Sequence, residues 1–386
     1  MPNPGASQSA LALCPAPADA SHASCFGSLR TDGTITKVYP DAVNGLTPND
    51  LSSLYAYPRP GWQGLAGRGQ VVAVVVAYDY AGAESDLAVY RAHFGLWPCT
   101  SRNGCFSKVG AATAQAQSST GNPESISAHP TTLGAIGWAA EADADIEVIS
   151  AVCPNCKIVL AEAASDSMAD LTNAVAAALQ AKATIINASY GAPETQNDSQ
   201  FVPTYENGQH IKTVAAAGDW GFGVYFPASA SKVIAVGGTS LSVSGSTVTE
   251  TAWSGTGSGC SQYFGKQGWQ NTPQYGCHNR AVVDVAAVAD PATGVAFYDS
   301  SLYGSSGAWA IIGGTSIAAP IVTGMYALSG NTAAGEGAQQ LYANSGGFLP
   351  VTSGSNGSCS PSYLCTAVSG YNGPTGLGVP NGLGGF

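Results

Sequence analysis

Two short stretches of the 386-residue chain bring together residue types that could do chemistry. The first is Glu141-Ala-Asp143-Ala-Asp145-Ile-Glu147, four carboxylates inside a segment whose pattern predicts a helix over 131–149. At roughly 100° per residue, Glu141 and Asp145 share the face that carries Trp138, Val148 and Ile149. Asp143 and Glu147 point roughly the opposite way, so one pair is expected to look into the protein and the other to be solvated. Like charges one turn apart repel, and burial raises at least one of their pKa values. Such an arrangement is tolerated mostly where a shared proton or a perturbed acid is useful. A solvated acidic face is the plain alternative.

The second stretch is Gly313-Gly314-Thr315-Ser316, ending at Pro320 and leading into a helix expected over 316–329. Paired glycines let the backbone turn tightly and approach a substrate. Ser316 then stands at a helix N-terminus, where N–H groups and the dipole favour an anion, as an attacking serine and its oxyanion require. An ordinary N-cap is the bland reading. A nucleophilic serine also needs a base. None of His22, His93, His129, His210 and His278 lies beside a glycine-rich turn that would present an imidazole. The inward carboxylate of Glu141 is the alternative, and a base that weak belongs to acid conditions.

These residues need a frame. Val71–Tyr78 lies in a β-branched apolar run suited to a buried parallel strand, followed by a helix over 83–94 and a cysteine-bracketed loop around Asn103-Gly104. Residues 110–130 read as loop, and strands are expected at 157–162, 184–188, 213–217 and 233–236, with a helix at 168–181. This alternation predicts an α/β fold with a parallel sheet covered by helices. Residues 1 to about 60 are rich in Ala, Pro, Ser and Asn and read as a loose lead-in. No linker cleanly separates two domains.

Composition sets limits. Charged residues make up only 10% of the chain and hydrophobic ones 45%, which excludes disorder driven by charge. Acidic residues outnumber basic ones 24 to 13, without a Lys/Arg cluster, so no nucleic-acid partner is expected. A chain with few carboxylates to protonate resists acid unfolding, a hint of an acidic working environment. No apolar run reaches the ~20 residues that span a bilayer, so no membrane partner is expected, and no signal peptide is visible. The ten cysteines form neighbouring pairs, Cys14/Cys25, Cys99/Cys105, Cys153/Cys156, Cys260/Cys277 and Cys359/Cys365. Local disulfides and secretion follow as expectations. A redox role for Cys153-Pro-Asn-Cys156 lacks a thioredoxin-like setting, and the paired CxxC spacing of a zinc site is missing. Three sequons occur, at Asn187, Asn197 and Asn356, the first in an expected strand and so buried.

Several segments in order across 45–386 resemble the sedolisin family, the serine-carboxyl peptidases with a subtilisin-like fold. Gly45-Leu-Thr-Pro48 resembles the opening of its catalytic domain, and Glu141-Ala-Asp-Ala-Asp145 its ExxxD helix. Gly218-Asp219-Trp-Gly221 resembles its GDxG segment, and Gly314-Thr-Ser316 with Pro320 its nucleophile motif. The resemblance implies Ser316 as nucleophile, Glu141 as general base, Asp145 as its orienting partner and Asp219 as a protonated oxyanion donor. It implies a three-layer α/β domain over 45–386, with a central, mostly parallel sheet flanked by helices, after the 1–44 lead-in. Asp79 resembles the subtilisin catalytic Asp, but without a matching His it is not expected to be catalytic.

Two departures stand out. Asn372 occupies a position where the family's calcium loop carries Asp, so that calcium site is expected to be lost and no cofactor is expected. The family's long inhibitory pro-region is also not seen. The resulting expectation is a secreted, monomeric endopeptidase acting on polypeptides in acid. A silent binding protein on the same fold and a tripeptidyl-peptidase are the alternatives, and a His-dependent subtilisin fails for want of an imidazole.

Overall fold

The protein is described by a computed structural model over residues 10–17, 19–31, 44–58, 66–111, 133–206, 211–244, 247–270, 276–303, 307–332 and 335–386. Its strands are β1 (Ala10–Ala12), β2 (Ser24–Cys25), β3 (Ser28–Arg30), β4 (Val71–Ala77), β5 (Phe106–Val109), β6 (Lys157–Ala163), β7 (Ile185–Ala188) and β8 (Tyr190–Pro193). Further along come β9 (Lys212–Ala216), β10 (Tyr225–Phe226), β11 (Ile234–Ser244), β12 (Thr247–Ala252), β13 (Val285–Val288), β14 (Val295–Asp299) and β15 (Ala308–Gly313). The helices that matter for function are α1 (Pro48–Leu54), α2 (Ala83–His93), α3 (Leu133–Val152), α4 (Met168–Gln180) and α5 (Thr315–Ser329).

Eight strands build the main sheet in the order β12-β11-β9-β7-β4-β6-β5, with β13 joined to β11. All its pairings are parallel except β11 with β12. Val72 to Val76 are buried at the sheet's centre, as a strand covered on both faces must be. The expected three-layer arrangement is therefore present, with most helices and strands within two residues of their expected limits. The main exceptions are β5, which follows the Asn103-Gly104 loop where no strand is expected, and β11, which runs on to Ser244. Most of the expected 110–130 loop lies outside the described residues.

The lead-in is a correction. Residues 10–30 carry three strands, with β3 paired to β15 and β2 to β8. Cys14 and Cys25 are bonded, and Phe26 and Leu29 join the core. An Ala-, Pro- and Ser-rich composition hid this because the segment gains its order from backbone pairing to the body of the protein. All five expected disulfides are formed.

Close packing of α3 against α5 sets the distance between the acidic helix and the serine helix. A Cβ placed on Gly324 would lie 2.7 Å from Val152 Cβ, so only glycine admits this approach. Gly324→Val should cost about 1–3 kcal/mol by overpacking and lower activity in step, checked by thermal unfolding alongside a peptidase assay.

Candidate active site

Helix α3 presents Glu141 and Asp145 on one face, as the spacing predicts, but all four of its carboxylates are fully buried. The solvated face expected for Asp143 and Glu147 does not exist. Helix α2 and strand β14 cover it: Glu147 Oε2 accepts the Tyr298 N–H at 3.0 Å. Asp143 meets Asp86 and Asp299, their oxygens within 4.8 Å of one another. Asp86 Oδ2 is already occupied by three donors, the Tyr80 hydroxyl (2.6 Å) and the N–H and hydroxyl of Ser300 (2.9 and 2.7 Å). Burial, reinforced by the neighbouring carboxylates, pushes Asp143 well above the usual carboxylate range. Asp143 therefore holds its proton.

Ser316 lies in the first turn of α5, fully buried. Its hydroxyl faces the Glu141 carboxyl group without reaching strict hydrogen-bond geometry, a looseness common before a reacting group is engaged. Burial raises the Glu141 pKa well above normal, and the neighbouring charges of Asp145 and Asp219 add to it. Asp145 is raised as well, again by burial. Pro320 has no N–H to give the carbonyl four residues earlier, and that carbonyl belongs to Ser316. Ser189 Oγ takes it up at 3.1 Å, lies 2.7 Å from Asp145 Oδ1, and accepts from Asn187 Nδ2 at 2.9 Å. One hydroxyl hydrogen cannot serve both oxygens. The conflict is resolved when Asp145 carries a proton on Oδ1 and shares it with Ser189, whose own hydrogen goes to Ser316 O. Thr323 Oγ1 anchors Asn187 Oδ1 at 3.0 Å.

Asp219 is brought to the same place by the turn after β9. Thr315 donates to its Oδ1 through both N–H and hydroxyl, at 2.8 and 2.7 Å. Burial outweighs these donors and raises the Asp219 pKa to about 7. With Oδ1 accepting twice, the proton belongs on Oδ2. Gly314 sits in between at φ +113°, and a Cβ there would lie 2.7 Å from Asp219 Oδ2 and collide with the Phe26 carbonyl oxygen. Ser316, Glu141, Asp145 and Asp219 thus converge. Sequence reasoning missed Ser189, Asn187 and Thr315 as supports, although Thr315 lay within the motif and Asn187 drew notice only as a sequon.

It also missed the lead-in. Phe26 N–H donates to Ser189 O at 3.2 Å, Ser24 and Cys25 pair antiparallel with Gly191 and Tyr190, and Ser28 pairs with Gly313. Gly27 N–H faces Glu141.

Other sequence candidates lie elsewhere. Asp79 pairs with Lys108 at 2.7 Å, which also reaches Glu162 at 2.8 Å. His22 pairs with Asp19, and His93 packs on Trp309; His129 and His210 lie outside the described residues. Asn187 is buried in β7, as expected. Asn372 directs its amide hydrogens at Val351 O (3.0 Å) and Val368 O (3.1 Å). Those carbonyls face a donor, so the residues present do not fit a calcium ion at that point.

A parallel sheet flanked by helices, with a serine at a helix N-terminus beside a glycine turn, defines a subtilisin-like fold. The subtilase family (Peptidase_S8) matches residues 107–345. Kumamolisin of Bacillus sp. (strain MN-32) is 30% identical over 385 residues, covering 89% of this chain and 63% of that protein. Sedolisin of Pseudomonas sp. (strain 101) is 34% identical over 175 residues, covering 42% of this chain and 27% of that one. The solved structure of Pseudomonas sedolisin, a serine-carboxyl proteinase complexed with two molecules of pseudo-iodotyrostatin, superposes with a TM-score of 0.68 at 22% identity. It covers 88% of this chain and 96% of that one. The chain belongs to the subtilase family and is similar to its sedolisin branch. It spans less than two thirds of the length of these curated relatives.

The buried acids make a prediction about stability. Folded-state pKa values of Glu141, Asp143, Asp145, Glu147 and Asp219 are raised, so the folded chain binds more protons than the unfolded one above pH ~4. Their contribution is fully present below that pH and is lost as pH rises toward and beyond 7. Thermal unfolding at pH 4 should have a midpoint at least ~5 °C above that at pH 8; a rising midpoint over this interval would contradict the assignment.

Proposed function

We propose that the chain is a secreted serine-carboxyl endopeptidase that cleaves polypeptides in acid. The observation that carries this reading is a buried Ser316 facing Glu141, with Asp219 beside it holding its proton up to about pH 7. Ser316 Oγ attacks the peptide carbonyl while Glu141 takes its proton and later hands it to the leaving amine. Asp145, kept neutral by its burial, leaves Glu141 as the carboxyl of the pair that ionises. Asp219 Oδ2–H and the N–H groups at the start of α5 stabilise the oxyanion. Above about pH 7 Asp219 becomes an anion facing an oxyanion, and the rate falls.

Five disulfides support secretion. Chain seated on both sides of the serine, at residues 24–26 and 28–30, favours internal cleavage over tripeptide release. A silent binding protein would have no use for a neutral acid held beside a buried serine. The Asn372 geometry supports independence from calcium. Hydrolysis of unfolded casein from about pH 2 to 9 tests the reading. An acid optimum is expected, unaffected by EDTA and lowered at least ~1,000-fold by Ser316→Ala or Glu141→Ala. A neutral optimum that survives Glu141→Ala would overturn it.

A further inference from the structure

The lead-in lies in the cleft in the register of a substrate, and its geometry identifies the bond that the site faces. β2 runs antiparallel to β8, Phe26 N–H donates to Ser189 O, and the Phe26 carbonyl oxygen sits against Gly314 beside Asp219. One atom further on, Gly27 N–H faces Glu141. Carbonyl oxygen at the acid that would receive an oxyanion, and nitrogen at the acid that would protonate a leaving amine, is the disposition that cleavage of the Phe26–Gly27 bond requires. The Phe26 ring is buried edge-on against Trp220 (5.1 Å between centroids) and Tyr225 (5.9 Å), over Gly191, where any side chain would meet it. A side chain at position 27 would collide with Glu141 Oε2. A cavity of about 190 Å³ remains along this contact, bounded by Phe26, Gly27, Asp219, Trp220 and Trp253.

We infer that residues 24–27 are a built-in substrate that blocks the cleft until Ser316 cuts the Phe26–Gly27 bond, and that the pocket of Gly191, Trp220 and Tyr225 selects an aromatic residue before the cleaved bond and a small one after it. The inference rests on the peptidase reading and names its first substrate. Ser316 Oγ adds to the Phe26 carbonyl carbon and the C–N bond breaks. Gly27 nitrogen leaves with the proton that Glu141 took from Ser316. Water then hydrolyses the Phe26 ester to a carboxylic acid. Cys14 and Cys25 both lie upstream of the cut, so that piece departs as one disulfide-closed unit and opens the strand position along β8.

The test uses the whole chain, brought to about pH 4, where the mechanism above is active. It follows intact mass, N-terminal sequence and casein hydrolysis together. The expected result is a new N-terminus at Gly27, with casein hydrolysis lagging and then rising as that terminus forms; Ser316→Ala stays uncut. Phe26→Asp, which puts a carboxylate into an aromatic pocket, should slow the cut at least ~tenfold. Full casein hydrolysis by an uncut chain, or an equally fast cut at the same bond in Phe26→Asp, overturns this proposal and leaves the peptidase reading standing. A folded wild type that cuts neither itself nor casein overturns both.

Discussion

Four carboxyl groups on one helix, Glu141, Asp143, Asp145 and Glu147, are fully buried, while the ion pairs among the described residues fall on other acids. Charge cannot be buried so densely without a counter-ion, because desolvation alone would cost several kcal/mol per group. The helix stays in the core because most of these groups hold protons. That condition links stability to acid, and it fills the space beside the serine with carboxyl groups where other serine hydrolases place an imidazole.

The rest of the site follows from keeping those protons in order. Pro320 frees the Ser316 carbonyl, and Ser189 takes it up while its hydroxyl also bonds Asp145 Oδ1, so the nucleophile's backbone is tied to the acid that supports its base. On the other side Thr315 holds Asp219 by two donors to one oxygen, aiming the protonated oxygen toward the cleft. Gly314 and Gly324 permit the two close approaches, backbone to bound chain and helix to helix, on which these distances depend.

Much of this was legible in the sequence because it was written in local patterns. A helical repeat of 3.6 residues placed Glu141 and Asp145 together, and β-branched runs marked β4, β6 and β7. The four residues that converge are those the motifs singled out. What local pattern could not reveal was whatever a distant segment supplies. Asp143 and Glu147 look like an exposed face until α2 and β14 cover them. Ser189 acquires its role only because Pro320, far along the chain, leaves a carbonyl unpaired within its helix. Residues 10–30 have a loop's composition and gain their order from pairing with β8 and β15.

The central claim is that a neutral Asp219 receives the oxyanion, and it is tested most directly by the pH dependence of binding of a peptide aldehyde, which adds to Ser316 to form a hemiacetal. In the processed wild type, affinity should break downward near pH 7, where Asp219 loses its proton. Asp219→Asn, with a donor that never ionises, should lack that break. The same break near pH 7 in both proteins would contradict the account.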